Sequence, residues 1–381
     1  MERIVLKNLP SGMTLNLSDK MNAPDWDKFL EHNPSGQYEQ SSGWARAKAL
    51  YGWRPLRLLI CKEEKIIGGL QILKKRIPLF GSFGYATKGP VLSENKEELF
   101  NLLMTFLKVI IRKNRIQYLF LQPPDRDGLM EEWLKVCGFR IDKLVDVVNA
   151  TTSLDLSLDL GEIFHNMSKN NKRFIKYAEK KGVTIRNGSE VDILKFFQMM
   201  AETCRRQGVQ PNPPDDRFIK ELWRIFNPKG YVKLFVTVFE GDVTSELIIF
   251  PFGDTVRAWK MGWNGRHEKV KPNQILFWEA IKWSKEHGYR YFDFVSIDRD
   301  IAELILKGVH FSKIAKGSSF FKLMFGGEVS LLPYGYCYIY NPVFQIAYSK
   351  FYLKIIDKPF FQKILSRYLG FLPIKKSNNS G

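Results

Sequence analysis

The chain is 381 residues long, 45% hydrophobic and 14% aromatic, with 58 lysines and arginines against 40 acids for a formal charge of +18. That length predicts two domains with ordinary packed cores, and the composition points to a globular rather than a disordered chain. The positive balance points to phosphate-bearing, nucleic-acid or anionic-membrane partners, while Cys61, Cys137, Cys204 and Cys337, without paired or ligand spacing, exclude a disulfide framework or zinc site.

Residues 56–61 and 66–73 read as strands joined at Lys62-Glu63-Glu64-Lys65, with further extended chain around Tyr85. A helix over Lys96–Lys113 leads into 117–121, a continuous apolar run of the kind that fills a buried strand. A domain boundary is expected near Ala150. Beyond it, Ser168 is placed to cap a helix that runs to Gly182. On a wheel of about 100° per residue its Lys169, Lys172, Arg173, Lys176 and Lys180 share one side, opposite Phe174, Ile175 and Ala178. That cationic side is either a solvated face or a binding face. Residues 232–239 and 244–252 form a hairpin about Glu240-Gly241-Asp242, and 256–263 adds a third strand. A helix after Pro272 sets Leu276, Phe277, Ala280 and Ile281 at helical spacing and stops at Gly288, before a strand over 289–294. Residues 334–340 are strand-like and are expected to return to the first domain. The tail over 342–376 sets aromatics among basic residues and a single acid, Asp357. It either lies on an anionic membrane or packs on the first domain.

Antiparallel meander, helix, further strand: the same order occurs in both halves. It predicts an α/β (α+β) chain of two tandem GNAT acetyltransferase-like domains with mixed sheets. Domain 1 is expected over 1–150, completed by about 328–345, and domain 2 over 151–327, with the C-terminal basic aromatic helices over 342–376. No apolar run reaches the length of a membrane span and the start lacks a leader pattern, so a cytoplasmic protein is expected.

Several local patterns fall in series. Gln40-Ser41-Ser42-Gly43-Trp44-Ala45-Arg46-Ala47-Lys48 precedes Gly52-Trp53, then Gly68-Gly69-Leu70-Gln71, then Tyr85-Ala86-Thr87-Lys88-Gly89-Pro90-Val91. The second half has Ala178-Glu179-Lys180-Lys181-Gly182-Val183 and Thr203-Cys204-Arg205-Arg206-Gln207-Gly208. It closes with Gly288-Tyr289-Arg290-Tyr291-Phe292-Asp293-Phe294 and Phe320-Phe321-Lys322-Leu323-Met324-Phe325-Gly326-Gly327. In this order, across both halves, they resemble the Fem family (FemABX), aminoacyltransferases that build peptidoglycan bridges from aminoacyl-tRNA. Two departures stand out: Val295 and Ser296 follow Asp293-Phe294 where family members often carry glycines, and no charged heptad arm is present, as in the short form of the family.

The resemblance implies a donor, aminoacyl-tRNA, and an acceptor amine on a UDP-linked or lipid-linked glycopeptide precursor, with no metal or cofactor. Lys322, after Phe321, would lie beside the transferred carbonyl, where a dehydrated ammonium stabilises a developing oxyanion. Lys48 and Arg206 would grip phosphates, with Trp44 and Tyr85 among the substrate-binding residues and Arg205 as the rival arginine. Asp293 would orient or deprotonate the acceptor amine. Read without the family, Lys322 closes a strand or caps a turn, the arginines are surface ion-pair partners, and Asp293 caps the next turn. His32, His165, His267, His287 and His310 are isolated, and no Ser-His-Asp or Cys-His signature occurs. The alternative enzyme is an acyl-CoA-dependent N-acyltransferase of surface polysaccharide or lipid synthesis, against which Gly81-Ser82-Phe83-Gly84 lacks the leading basic residue of a pyrophosphate-binding loop. A third reading is a non-catalytic protein that holds an anionic glycan precursor or RNA. Peripheral contact with the inner face of an anionic membrane is compatible with each.

Overall fold

In a computed structural model of the chain, residues 2–4, 9–10, 12–78, 81–93, 96–342, 344–346 and 348 are described. Of the basic aromatic tail expected over 342–376, all but 342, 344–346 and 348 lies outside the described residues. The chain divides into two units, Met1–Val147 with Pro333–Gly381, and Val148–Leu332.

The first unit opens with β1 (Glu2–Ile4), β2 (Met13–Ser18), α1 (Pro24–His32) and α2 (Ser42–Lys48). An antiparallel meander of β3 (Arg54–Lys62), β4 (Lys65–Ile77) and β5 (Gly81–Thr87) follows, and the short β6 (Val91–Leu92) pairs back onto β4. Glu63 and Glu64 close the β3–β4 hairpin with φ of 47° and 65°, the twin positive values of a two-residue turn matched to strand twist. Then come α3 (Lys96–Lys113), β7 (Ile116–Gln122), α4 (Met130–Val136) and β8 (Arg140–Ile141). α3 buries Leu99, Phe100, Leu103, Phe106, Leu107 and Ile110 at helical spacing against Leu58, Ile60, Leu70, Ile72 and Leu119. Each such side chain contributes about 1.5–3 kcal/mol.

The second unit begins with β9 (Ala150–Asp155), α5 (Leu160–Asn166), α6 (Lys169–Lys180) and β10 (Thr184–Asn187). Helices α7 (Glu190–Arg206) and α8 (Asp216–Phe226) precede the meander β11 (Lys233–Phe239), β12 (Asp242–Phe252) and β13 (Thr255–Trp263). The last elements are α9 (Pro272–Glu286), β14 (Tyr291–Asp293), α10 (Arg299–Leu306), α11 (Gly317–Leu323) and β15 (Glu328–Leu331). Among the described residues these strands form a seven-stranded sheet, β10-β11-β12-β13-β14-β9-β15, parallel only between β13 and β14. α9 buries Leu276, Phe277, Ala280 and Ile281 against Phe235, Leu247, Ile249, Val256 and Phe292. α7 packs against β13 on the strength of Gly262, where a Cβ would stand 3.0 Å from the Met199 side chain.

The chain then returns to the first unit, where β16 (Tyr336–Ile339) pairs with β7 and β8. Its sheet runs β1-β2-β3-β4-β5-β7-β16-β8, nine strands with β6, parallel only between β5 and β7. Both units are therefore mixed α/β sheets in which a meander, a long helix and a parallel strand recur.

One buried charge bears on stability. Glu246 lies on β12, 1% exposed, opposite Gly262 and hence under α7, and its Oε2 has no hydrogen-bond partner among the described residues. Burial, reinforced by Asp192, pushes its carboxyl up from 4.5 to about 8 against the pull of Arg186 and Lys195. The folded chain thus holds this proton more tightly than the unfolded chain, so its contribution to stability is present below pH 4.5 and lost as pH rises towards 8. Glu246→Gln is expected to be more stable than the wild type at pH 8, with the difference fading as pH falls to 4.5 in denaturant-unfolding measurements.

Candidate active site

The two parallel strand pairs differ. In the first unit β5 and β7 stay paired from Ser82↔Ile116 to Thr87↔Gln122. In the second, β14 pairs with β13 only from Thr255↔Tyr291 to Arg257↔Asp293, and β13 continues alone on that side to Trp263. This leaves a wedge. The N–H and C=O of Trp263 turn from β12 to the Thr203 hydroxyl of α7, at 2.8 and 3.0 Å. By the two-residue alternation of an antiparallel ladder, Met261 presents its own N–H and C=O along the same edge.

Lys322 stands on the last turn of α11. Its Nζ donates to the carbonyls of Val295 (2.5 Å) and Ser296 (2.7 Å), in the turn that follows β14. Burial pulls its ammonium down from 10.5 to about 8, with Lys260 adding to the fall and Asp293 and Asp298 opposing it. Phe321 packs its ring against Phe277 (5.2 Å between centroids) and Phe325 (5.5 Å), so it supports α11 from the core. Gly326 ends this segment at φ 80°, where a Cβ would lie 2.3 Å from the Asn166 carbonyl oxygen. Ser168 N–H donates to Met324 C=O at 2.9 Å, tying the start of α6 to the end of α11.

Asp293 is the last residue of β14 and 8% exposed. Its Oδ1 accepts the Thr151 hydroxyl (2.5 Å) and the Val295 N–H (2.8 Å), and Arg257 stands 4.0 Å from its Oδ2. In this structure the carboxylate caps the turn it precedes. Arg206 is exposed at the end of α7, 5.0 Å above the Trp263 ring, with its guanidinium donating to the Trp263 carbonyl and to Thr203 Oγ1 (3.2 Å). Arg205 beside it is exposed as well.

In the first unit, Lys48, Trp44 and Tyr85 come together. Lys48 Nζ lies 5.3 Å from the Trp44 ring centre and 5.9 Å from that of Tyr85, and the three are 3%, 7% and 8% exposed. Burial draws the Lys48 ammonium well below its usual value, opposed by Glu39, and pushes the Tyr85 phenol up. Tyr85 stacks on Phe120 at 5.4 Å. The Ser41 hydroxyl accepts Trp44 N–H (3.1 Å), which starts α2 and fixes the spacing that sets Trp44 and Lys48 one helical turn apart.

Sequence reasoning missed Lys260, half-buried on β13, whose ammonium burial lowers while Cys204 opposes. Its signal was a lysine between Trp259 and Met261, two large apolar residues. Thr151 and Arg257, which hold Asp293, were missed too. α6 emerges as read: Ser168 caps it through Asn171 N–H (3.2 Å), Ile175 and Ala178 are buried, and Lys169, Arg173, Lys176 and Lys180 are exposed. Among the described residues none of these four makes an ion pair, and Lys172 donates to the His165 carbonyl at 2.7 Å. No group of three or more metal-ligating side chains, and no helix long and apolar enough to cross a membrane, occurs among the described residues.

Comparison with known proteins gives two family matches: "FemAB family" over residues 21–132 and "Acetyltransferase (GNAT) domain" over 165–300. The chain is 24% identical over 223 residues to a lipid II:glycine glycyltransferase of Staphylococcus aureus (strain MRSA252), covering 55% of this chain and 52% of that protein. A second S. aureus protein of that name is 23% identical over the same length, so the chain spans about half of the curated relatives it matches. In fold it is similar to the crystal structure of FemX, with a TM-score of 0.73 at 18% identity over 91% of this chain and 99% of that one. It is also similar to a tandem GNAT protein from the clavulanic acid biosynthesis pathway, with a TM-score of 0.50 at 8% identity over 86% of this chain and 99% of that one. Two family models matched in succession, relatives named as lipid II:glycine glycyltransferases and a fold shared with FemX make the chain similar to the Fem family over its first half, with a GNAT acetyltransferase domain in its second.

Proposed function

We propose that the chain is an aminoacyltransferase that moves an amino acid from aminoacyl-tRNA to an amine of a peptidoglycan precursor or related envelope intermediate. The observation that carries this reading is the dehydrated Lys322 ammonium beside Asp293, where the β13–β14 pairing ends. A fixed cation there lowers the barrier for amine attack on an ester by stabilising the negative charge that develops on the carbonyl oxygen. The amine nitrogen bonds to the ester carbonyl carbon as the bond to the tRNA ribose oxygen breaks, and the proton the amine sheds ends on that oxygen, giving an amide and a free ribose hydroxyl.

The acceptor is the phosphate-bearing precursor, UDP-linked or lipid-linked; lipid II is the one named for the relatives. In the second unit, Arg206 is exposed at the end of α7 and offers the planar donor fork that suits phosphate oxygens. The exposed basic face of α6 suits the RNA of the donor. Such a reaction belongs on the cytoplasmic side, at the inner face of the membrane when the acceptor is lipid-linked.

The test is transfer in vitro from a pool of tRNA charged with all proteinogenic amino acids, with UDP-linked and lipid-linked precursors as acceptors. Amide formation is expected with one acceptor class; its absence with both removes the reading. The second reading, acyl-CoA-dependent N-acylation, is favoured by the GNAT-domain match and the open β13 edge. Thermal stabilisation by acetyl-CoA but not by charged tRNA would select it.

A further inference from the structure

We infer that the Val295–Ser296 turn is a positioning element for transfer: its two carbonyls hold two of the three ammonium protons of Lys322 and leave one N–H, in a fixed direction, for the acyl carbonyl oxygen. The inference rests on the aminoacyl-transfer reading and goes beyond it by assigning a task to residues outside the reacting groups.

The geometry comes from the backbone. Val295 and Ser296 have φ of 50° and 63°, two successive left-handed residues. In that conformation neighbouring carbonyls point the same way, as in a turn of left-handed helix, so both can converge on one ammonium. Lys322 Nζ meets them at 2.5 and 2.7 Å and has no third hydrogen-bond partner among the described residues.

A β-branched valine in this region is unfavourable by about 1–3 kcal/mol, and such residues persist where the surroundings over-determine them. Here they do. Phe294 N–H donates to Thr152 C=O (3.0 Å) and Ile297 N–H to Ala150 C=O (3.1 Å), so β9 clamps the turn on both flanks. Asp293 accepts the Val295 N–H from within. α11 is pinned a second time, through Ser319, whose hydroxyl donates to Asp298 at 2.8 Å. The charged groups that face Lys322 are Asp293 of β14, Lys260 of β13 and Asp298 before α10. Glycines would hold the same conformation without strain but with more freedom, whereas valine and serine make the turn stiff.

The experiment is steady-state transfer from the charged-tRNA pool to lipid II, with kcat and KM resolved and followed across pH. Ser296→Pro imposes φ near −65° and turns a carbonyl away without deleting a hydrogen bond of the Ser296 side chain. It should lower kcat about 10²-fold with KM for lipid II within about twofold, while Ser296→Gly keeps at least tenfold more activity than Ser296→Pro. Asp293→Asn, isosteric and less disruptive, should lower kcat and move the alkaline limb of the profile below its wild-type position near pH 8, because a charge that holds the Lys322 proton is gone. Wild-type kcat in Ser296→Pro, or an unmoved limb in Asp293→Asn, overturns the positioning role and leaves aminoacyl transfer standing. No transfer by the wild type with any donor in the pool overturns the underlying reading instead.

Discussion

Lys322→Met is expected to lower kcat for aminoacyl transfer on the order of 10²–10³-fold, the usual loss when one preorganised oxyanion donor is removed. Methionine keeps most of the volume of the lysine stem, so the melting temperature should change far less than the rate. KM for the acceptor should hardly move, because the lost interaction is made in the transition state. The pH profile carries the sign. Burial draws the ammonium down to about 8, and the protonated form is the one that stabilises an oxyanion. Transfer should therefore decline as pH rises through 8, and Lys322→Arg, whose charge persists, should show no such decline whatever its rate. A Lys322→Met protein with wild-type kcat would remove the lysine from the chemistry altogether.

The second large effect concerns α6. Alanine at Lys169, Arg173, Lys176 and Lys180 together is expected to weaken binding of tRNA on the order of 10²-fold at low salt. The slope of log affinity against log salt should flatten by about 3, the signature of lost phosphate contacts. Fluorescence anisotropy with labelled tRNA checks both. The helix spans about 18 Å at 1.5 Å per residue, and its first turn is tied to the end of α11 through Ser168 and Met324, so RNA along this face leads towards Lys322. Unchanged tRNA affinity together with lost affinity for anionic vesicles would assign the face to lipid.

Much of the fold was legible because its long elements bury one face. The α3 stripe, the β11–β12 hairpin about Glu240-Gly241, and the serine cap of α6 each follow from local chemistry that the tertiary structure keeps. The strand expected over 289–294 contracts to Tyr291–Asp293 because its ends serve other purposes. Tyr289 N–H returns to Ser284 C=O to finish α9, and the chain bends left-handed at Val295. That bend was hidden by residue type. Valine reads as strand, and the clamp by Ala150 and Thr152 overrides its preference from far along the chain. Arg257 and Lys260 escaped for the opposite reason, since charges inside an apolar strand carry meaning only when the neighbouring strand is known to depart. Lys48, Lys322 and Arg206 were singled out by resemblance; composition and spacing alone could not separate them from ordinary surface cations.

The early parting of β14 from β13 has a consequence for how such a protein can change over time. What the opening exposes is main chain, the amide and carbonyl of Met261, and every amino acid except proline brings the same pair of groups. Any substitution at Met261 other than proline therefore leaves this pair of groups in place.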